Sequence, residues 1–360
     1  MFGLALSIYL IFISLIWLGL MLINIPTHKK QGIQKPNIEG FNPKVLVMLP
    51  CKGRDLTLSD NILSLKNQDY KNFMLVGIVD TKEDEAVKEL EQNMVDYIIS
   101  KNVCSECSGK VKAIATAYEE FKGYDIYVIV DSDVEARKDW LSKLIAPLAD
   151  ESIGISTTFP IFAPKSGFWS KVKMVWGFVG DGMMESDLTR FGWGGSLAFR
   201  ADLLEGKDYE RFRESVSDDL AITKSAKERK LGIAYVKERI AKVNSNDSFK
   251  TFKEWANRQT ALSIMGSKKV FYYGVIIYSL SILLLISAIL LSVYVSYLFV
   301  ILFAPFAIGI IKTYKRASGH ISADLWIIYL LIDFIYLANL IHSKQMKSIQ
   351  WRGNKYTLKD

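Results

Sequence analysis

Asp131 and Asp133 stand one residue apart in "DIYVIVDSDVEARKDW", directly after the apolar run Ile126 to Val130. Two carboxylates this close repel unless a cation neutralises them, and hard divalent cations prefer oxygen ligands. Mg2+ takes one or two protein carboxylates and completes its shell with phosphate oxygens and water. The pair therefore points to a divalent metal held against a diphosphate. The competing expectation is a helix N-cap by either aspartate. Two other apolar runs end in residues of similar promise: "KVLVMLP" leads into Cys51, Lys52 and Gly53, and "FMLVGIV" leads into Asp80.

The surrounding pattern says what must position these groups. Lys44 to Leu49 reads as a short buried strand, followed by a helix with Leu58, Ile62 and Leu65 at helical spacing. "FMLVGIV" reads as a second strand and "EDEAVKELEQN" as a helix. "GKVKAIATAYEEF" is a further helix, opened by Gly109 and Lys110, and it leads into the strand before Asp131. Alternating strands and helices imply a mostly parallel sheet with helices on both faces. Ligands of such sheets bind beyond the carboxyl ends of the strands, so Lys52, Asp80, Asp131 and Asp133 are expected to share one cleft.

Half of the 360 residues are hydrophobic, unevenly distributed. Phe2 to Ile25 carries no charge and is long enough to cross the ~30 Å hydrocarbon core. No basic region precedes it and no small-residue cleavage site follows, so a retained anchor is expected rather than a signal peptide. Val270 to Ile311 can supply two more spans, and Ile321 to Ile341 is a fourth apolar stretch carrying Asp324 and Asp333, both costly in lipid. The chain thus divides into an anchor (1–25), a globular domain (42–248), an amphipathic interfacial helix (249–268), membrane-associated helices (269–343) and a basic tail (344–360). Phe168, Val172, Val175 and Val179, with Trp169 and Trp176, form a helical stripe expected to lie in the headgroup layer, as do Phe249, Phe252 and Trp255.

Lys29, Lys30 and Lys35 put the globular domain in the cytoplasm by the positive-inside rule, at the cell membrane. The basic tail favours the same side, yet three apolar segments lie between. Either 321–341 lies in or re-enters the interface, or the charge rule fails. The formal charge is +7, but no basic stripe or nucleic-acid motif stands out, so no nucleic-acid partner is expected. Three cysteines suit a reducing compartment, and Cys104 and Cys107, lacking a second ligand pair, are expected as solvated thiols.

Four segments together resemble the family-2 glycosyltransferases, which have the GT-A fold, and most closely the ceramide glucosyltransferase group. They are "PCKGRDLTLSDNILSLKNQDY", "VDSDV", "SDDLAITKSAKERKLGIAYV" and the tail "SIQWRGNKY", spanning residues 43 to 356. The resemblance implies an α/β, Rossmann-like GT-A fold with transmembrane helices at both ends. It implies Mg2+ or Mn2+ as cofactor and transfer of a hexose from a nucleotide sugar, UDP-glucose, to the hydroxyl of a membrane lipid acceptor. Pro50, Lys52 and Lys110 would lie by the nucleotide sugar, with Asp80 on the nucleoside. Asp131 would sit by the sugar-nucleotide and the metal, and Asp133 would coordinate the metal. Gly194, Gly195 and Ser196, in "GWGGSLAFR", would line the donor sugar and acceptor entrance.

Asp219 would be the catalytic base. Inverting transfer from an α-linked donor needs one carboxylate to take the acceptor proton, separate from the metal pair. Asp218 could hold that role instead, or both could cap the helix beginning at Leu220. One departure stands out: where family members carry Q-x-x-R-W, this chain has Gln259 followed by Leu262 and Ser263. Arg258 is then the candidate cation for the diphosphate, and processive polymer synthesis is disfavoured. Polyprenyl-phosphate sugar transfer, polysaccharide synthesis and a non-catalytic nucleotide-sugar or lipid-binding protein are the competing functions.

Overall fold

A seven-stranded sheet, bounded by helices on both faces, carries the site. The computed structural model describes residues 2–24, 40–101, 104 and 106–358; Lys29, Lys30 and Lys35 lie outside them. The sheet strands are β1 (Val45–Pro50), β2 (Phe73–Val79), β3 (Tyr97–Ile99), β4 (Ile126–Val130), β6 (Ile153–Thr157), β8 (Ser196–Arg200) and β9 (Gly232–Tyr235). Their spatial order is β3-β2-β1-β4-β8-β6-β9, parallel except for β8, which runs antiparallel to both neighbours. A smaller sheet joins β5 (Val134–Ala136), β10 (Ala241–Ser245) and β7 (Ile161–Pro164).

Side-chain alternation along β1 explains the layering. Val45, Val47 and Leu49 pack with α2 (Leu58–Lys66), α3 (Glu85–Gln92) and α5 (Trp140–Ile145). Leu46 and Met48 face the other layer, built from α4 (Gly109–Glu120), α7 (Lys207–Arg213) and α8 (Asp218–Glu228). β4 is buried along its whole length, as its β-branched run requires. Asp131 therefore emerges where a strand covered on both faces meets the cleft.

Four helical segments among the described residues are long and apolar enough to cross a membrane. They are α1 (Phe2–Asn24), α10 (Lys268–Tyr294), the 3-10 turns Tyr297–Phe303 continuing into α11 (Ala304–Arg316), and α12 (Leu325–Lys344). Ile13 and Ile16 of α1 pack on Leu284 and Ala288 of α10. α12 packs along α10 and α11, with Tyr336 stacked on Tyr278, and also lies along α6 (Phe168–Met184) and α9 (Phe249–Gly266). Lys171 of α6 pairs with Asp324 at 2.8 Å, and Asn339 of α12 donates to Asn257 of α9 at 2.7 Å. Asp333 accepts from Ser281 of α10 at 2.6 Å, so both acidic residues of this segment face other helices.

Two expectations are corrected. The α6 stripe meets α12 rather than lipid: Val172 and Val175 are buried against Ile328 and Ile332, and Trp176 Nε1 donates to Asn339 Oδ1 at 3.1 Å. A lipid tail and an apolar helix face offer such a stripe the same environment, so composition could not separate them. Phe168 and Phe249, at the outer ends of α6 and α9, do remain exposed. Cys104 and Cys107 are joined in a disulfide rather than standing as separate thiols.

Candidate active site

The carboxyl ends of β1, β2 and β4 bring together the residues expected there. Pro50 closes β1, half-buried and in register with Ile78 of β2, and shapes the turn into Lys52. Lys52 Nζ lies 2.9 Å from Asp80 Oδ2, while Ser100 donates to Asp80 Oδ1 at 3.1 Å and Lys112 Nζ approaches it at 3.4 Å. Burial works to raise the Asp80 carboxyl, but Lys52, Lys112 and Ser100 outweigh it and hold the group below the ordinary carboxylate range. Cys51, which follows β1, is buried, and burial drives its thiol far above the usual range.

Asp131 and Asp133 lie in a tight turn from β4 into β5, closed by Val134 N donating to Asp131 O at 3.1 Å. No helix begins there, which removes the capping alternative. Asp133 Oδ1 is buried with no hydrogen-bond partner. Burial, reinforced by Asp131 and Asp55, pushes its carboxyl up to about 7. An orphaned buried carboxylate oxygen beside a second carboxylate is what a hard cation would satisfy. Among the described residues no three His, Cys, Asp or Glu side chains form a ready-made cage. The pair thus fits a cation that draws its remaining ligands from a diphosphate and water.

Lys110 is the hub. Ser108 caps α4 through Val111 N at 3.2 Å and so fixes the first turn, from which the Lys110 side chain reaches inward, 8% exposed. Its Nζ sits 2.7 Å from Asp131 Oδ1 and 3.1 Å from Asp218 Oδ2, and donates to Gly194 O at 3.1 Å. Burial alone would lower this ammonium; Asp131 and Asp218 outweigh that and keep it firmly charged. The approach needs Gly194, where a Cβ would fall 2.4 Å from Asp218 Oδ2. Gly195 is equally confined, by the Trp193 ring, and its carbonyl accepts Asp131 N at 3.2 Å. Ser196 does not line the cleft as expected: it is fully buried, and its hydroxyl accepts Trp140 Nε1 at 2.7 Å.

The acidic pair at the start of α8 is divided by environment. Asp218 is buried and committed to Lys110; burial pushes its carboxyl up to about 6 against the pull of Lys110. Asp219 is half-buried. Its Oδ1 accepts from Ser217 Oγ and from Leu220 N, the latter at 2.8 Å, and these bonds leave Oδ2 unused. Ser217, not either aspartate, is the N-cap residue of α8.

Arg258, on α9, lies with its guanidinium 5.5 Å from the centre of the Trp351 ring. It feels the charges of Arg352, Asp131 and Asp133, which places it at the Asp131–Asp133 end of the cleft. Its neighbour Gln259 is half-buried, and among the described residues its side chain has no hydrogen bond to this group. Sequence reasoning missed three contributors. Arg352 Nη2 pairs with Asp55 Oδ1 at 2.6 Å and its Nη1 donates to Lys52 O. Asp55 Oδ2 accepts Ser132 Oγ, the residue between Asp131 and Asp133, at 2.5 Å. Tyr356 OH accepts Gly109 N at 3.1 Å. The tail motif was the available signal, but nothing local to it says what it touches.

The model of glycosyl transferase family 21 matches residues 10–360 of this chain. Among solved structures, a mannosyltransferase from Pyrobaculum calidifontis in complex with GDP-Man and Mn2+ is 14% identical, with a TM-score of 0.51 over 91% of this chain and 94% of that one. Glucosyl-3-phosphoglycerate synthase from Mycobacterium tuberculosis, in complex with Mn2+ and uridine-diphosphate-glucose, is 15% identical, with a TM-score of 0.44 over 66% of this chain and 84% of that one. The first likeness, with the observed sheet, bears out the expected α/β GT-A fold.

Proposed function

The chain belongs to glycosyltransferase family 21, and from that premise we propose a membrane-bound, metal-assisted, inverting hexosyltransferase that moves glucose from UDP-glucose to the hydroxyl of a membrane lipid. The carrying observation is the division of labour among carboxylates: Asp133 orphaned and buried beside Asp131, with Asp219 apart from both. Asp131 and Asp133 would hold Mg2+ or Mn2+, which supplies charge neutralisation to the leaving diphosphate. Lys110 and Arg258 bind that diphosphate, while Asp80 and Lys52 hold the nucleoside end. Asp219 takes the acceptor proton on Oδ2 as the hydroxyl attacks. Asp218 is the counter-ion that keeps Lys110 in place.

A lipid acceptor is supported by connectivity. Arg258 sits on α9, and only Ser267 separates α9 from α10, the longest apolar helix. The cleft is therefore continuous with the bilayer-facing part of the chain. The tail supports a definite topology. Arg352 and Tyr356 touch the catalytic domain, so an even number of crossings must separate them from it. α12 is held along α6 and α9 from Asp324 to Ser343, whose hydroxyl donates to Asn257 O at 3.0 Å. It also packs on α10, but of the described apolar segments it is the one hydrogen-bonded or ion-paired to both α6 and α9, so in this reading it lies in the interface, while α10 and 297–316 cross as a hairpin. With α1 this makes a three-pass protein of the cell membrane, its domain and tail in the cytoplasm.

Membranes containing the protein, incubated with labelled UDP-glucose, other UDP-sugars and GDP-mannose, are expected to yield a labelled neutral glycolipid from UDP-glucose. Chelation should abolish the transfer and Mn2+ or Mg2+ restore it. Label appearing in a polyprenyl phosphate or a polymer would replace the acceptor assignment, and undiminished transfer in chelator would end the metal assignment.

A further inference from the structure

The C-terminal hairpin is fastened across the mouth of the site in a way the fold does not require. Its strands are β11 (Ser348–Trp351) and β12 (Asn354–Thr357), joined through Arg352 and Gly353, both at positive φ (48° and 81°). Two consecutive left-handed residues make the tight turn whose twist suits a hairpin, and here they aim Arg352 outward at its tip. Ile349, 2% exposed, anchors the base. Trp351 supports Arg258, and Tyr356 OH takes the Gly109 N–H at the start of α4, one residue before Lys110. Arg352 then reaches the opposite wall, bonding to Lys52 O and to Asp55, which holds Ser132 between the two metal-pair aspartates. The tip thus ends one side chain away from the carboxylate pair.

Resting on the nucleotide-sugar site proposed above, we infer that Arg352 is a diphosphate ligand of that site: it exchanges Asp55 for the donor's phosphate oxygens, and the hairpin closes on the donor with it. A guanidinium matches carboxylate and phosphate oxygens in the same two-pronged geometry, so Asp55 is the stand-in partner that keeps Arg352 poised. The contact with Lys52 O couples the hairpin to the residue that grips Asp80. Arg352 lies on Lys52 and Asp55 while Lys110 lies on Asp131 and Asp218, so a diphosphate between them would be clasped by cations from both ends of the chain. This adds a cation from the tail to Arg258 of the "WANRQTALS" segment, which lacks Arg at 262.

The test uses the detergent-solubilised full chain with Mn2+, titrated with UDP and UMP. Arg352→Ala is expected to weaken UDP by about 10- to 100-fold, the scale of losing a charge-assisted contact, and UMP by no more than about twofold. Arg352→Lys should recover part of the UDP loss. Asp55→Asn releases the competing partner and should leave UDP as tight as the parent or tighter. Equal losses for UDP and UMP, or Asp55→Asn matching Arg352→Ala, would show that the pair only braces the loop, and the inference would fall. Should Arg352→Ala misfold, Arg352→Gln and Asp55→Asn carry the same comparison. A parent that binds GDP instead is titrated with GDP and GMP to the same end. A parent that binds no nucleoside diphosphate overturns the donor site itself, a failure distinct from that of Arg352.

Discussion

Replacing Lys110 with Met removes the one cation shared by Asp131 and Asp218 while keeping the bulk of the stem. In the parent the ammonium sits 2.7 Å from one carboxylate and 3.1 Å from the other, and the Asp218 side chain is only 8% exposed. Stranding a buried charge by deleting its partner costs about 3–5 kcal/mol. For a domain of this size, each kcal/mol lowers Tm by about 2–4 °C, so Lys110→Met should melt roughly 6–20 °C below the parent. Asp218→Asn alone strands Lys110 less severely, because Asp131 remains at 2.7 Å. The double variant Lys110→Met with Asp218→Asn removes both the cation and one stranded carboxylate. It should therefore be more stable than the sum of the single changes by about 1–3 kcal/mol. The assay is thermal unfolding of the purified chain in detergent, followed by intrinsic fluorescence, with circular dichroism confirming that each variant starts folded. A Lys110→Met protein melting within about 2 °C of the parent, or strictly additive changes in the double variant, would refute the view that Lys110 and Asp218 are a committed buried pair. Asp218 would then be free to act as the base.

Three further outcomes follow. Asp219→Asn preserves shape but cannot take a proton, so kcat should drop by at least ~10²-fold with the donor Kd nearly unchanged; normal turnover would remove Asp219 from the chemistry. Gly194→Ala puts a Cβ 2.4 Å from Asp218 Oδ2 and 3.0 Å from Lys110 Nζ. It should cost both activity and thermal stability, whereas Gly206→Ala, open in space but at φ +54, should affect stability alone. Single cysteines at Val295, Ser318 and Thr357, probed with a membrane-impermeant thiol reagent on intact cells, should label only at Val295; labelling of Thr357 from outside would contradict the three-pass arrangement.

The juxtaposition of Asp131 and Asp133 at a strand end was legible because two independent signals coincided: a β-branched run that must be buried and carboxylates that must not be. Asp80 and Lys52 were legible for the same reason at neighbouring strand ends. The pairing of Lys110 with Asp218 was not, since 84 residues separate Lys110 from Gly194, whose carbonyl completes the contact. That meeting depends on β8 entering the sheet antiparallel between β4 and β6. Apolar periodicity carries no mark of strand direction, so the sequence could suggest a mostly parallel sheet without locating its exception. Arg352 is 300 residues from Lys52. Its motif was visible, but a solvent-exposed arginine in a basic tail has no local feature that distinguishes an anchor from a charge on the surface.

Under the proposed function, charge balance explains how such a crowded site would bind a doubly charged donor. Without ligand, Lys52 and Lys112 are matched by Asp80, Lys110 by Asp131 and Asp218, and Arg352 by Asp55. Asp133 Oδ1 and Asp218 Oδ2 are the buried carboxylate oxygens of this group without a hydrogen bond, and of the two only Asp218 Oδ2 has a cation beside it, Lys110 Nζ at 3.1 Å. The diphosphate of a nucleotide sugar carries two negative charges and a divalent metal two positive ones, so the pair enters nearly neutral. Binding is then an exchange of partners rather than a gain of net charge: cations trade carboxylates for phosphate oxygens, and the freed carboxylates face the metal. Lys110 is already largely desolvated, at 8% exposed, so its exchange avoids stripping water from a bare charge, the step that makes new buried ion pairs expensive. A donor without its metal, or a metal without its donor, would leave half of these partners unmatched. The geometry therefore favours the two entering together, with Asp133 as the group whose orphaned oxygen is satisfied only when both have arrived.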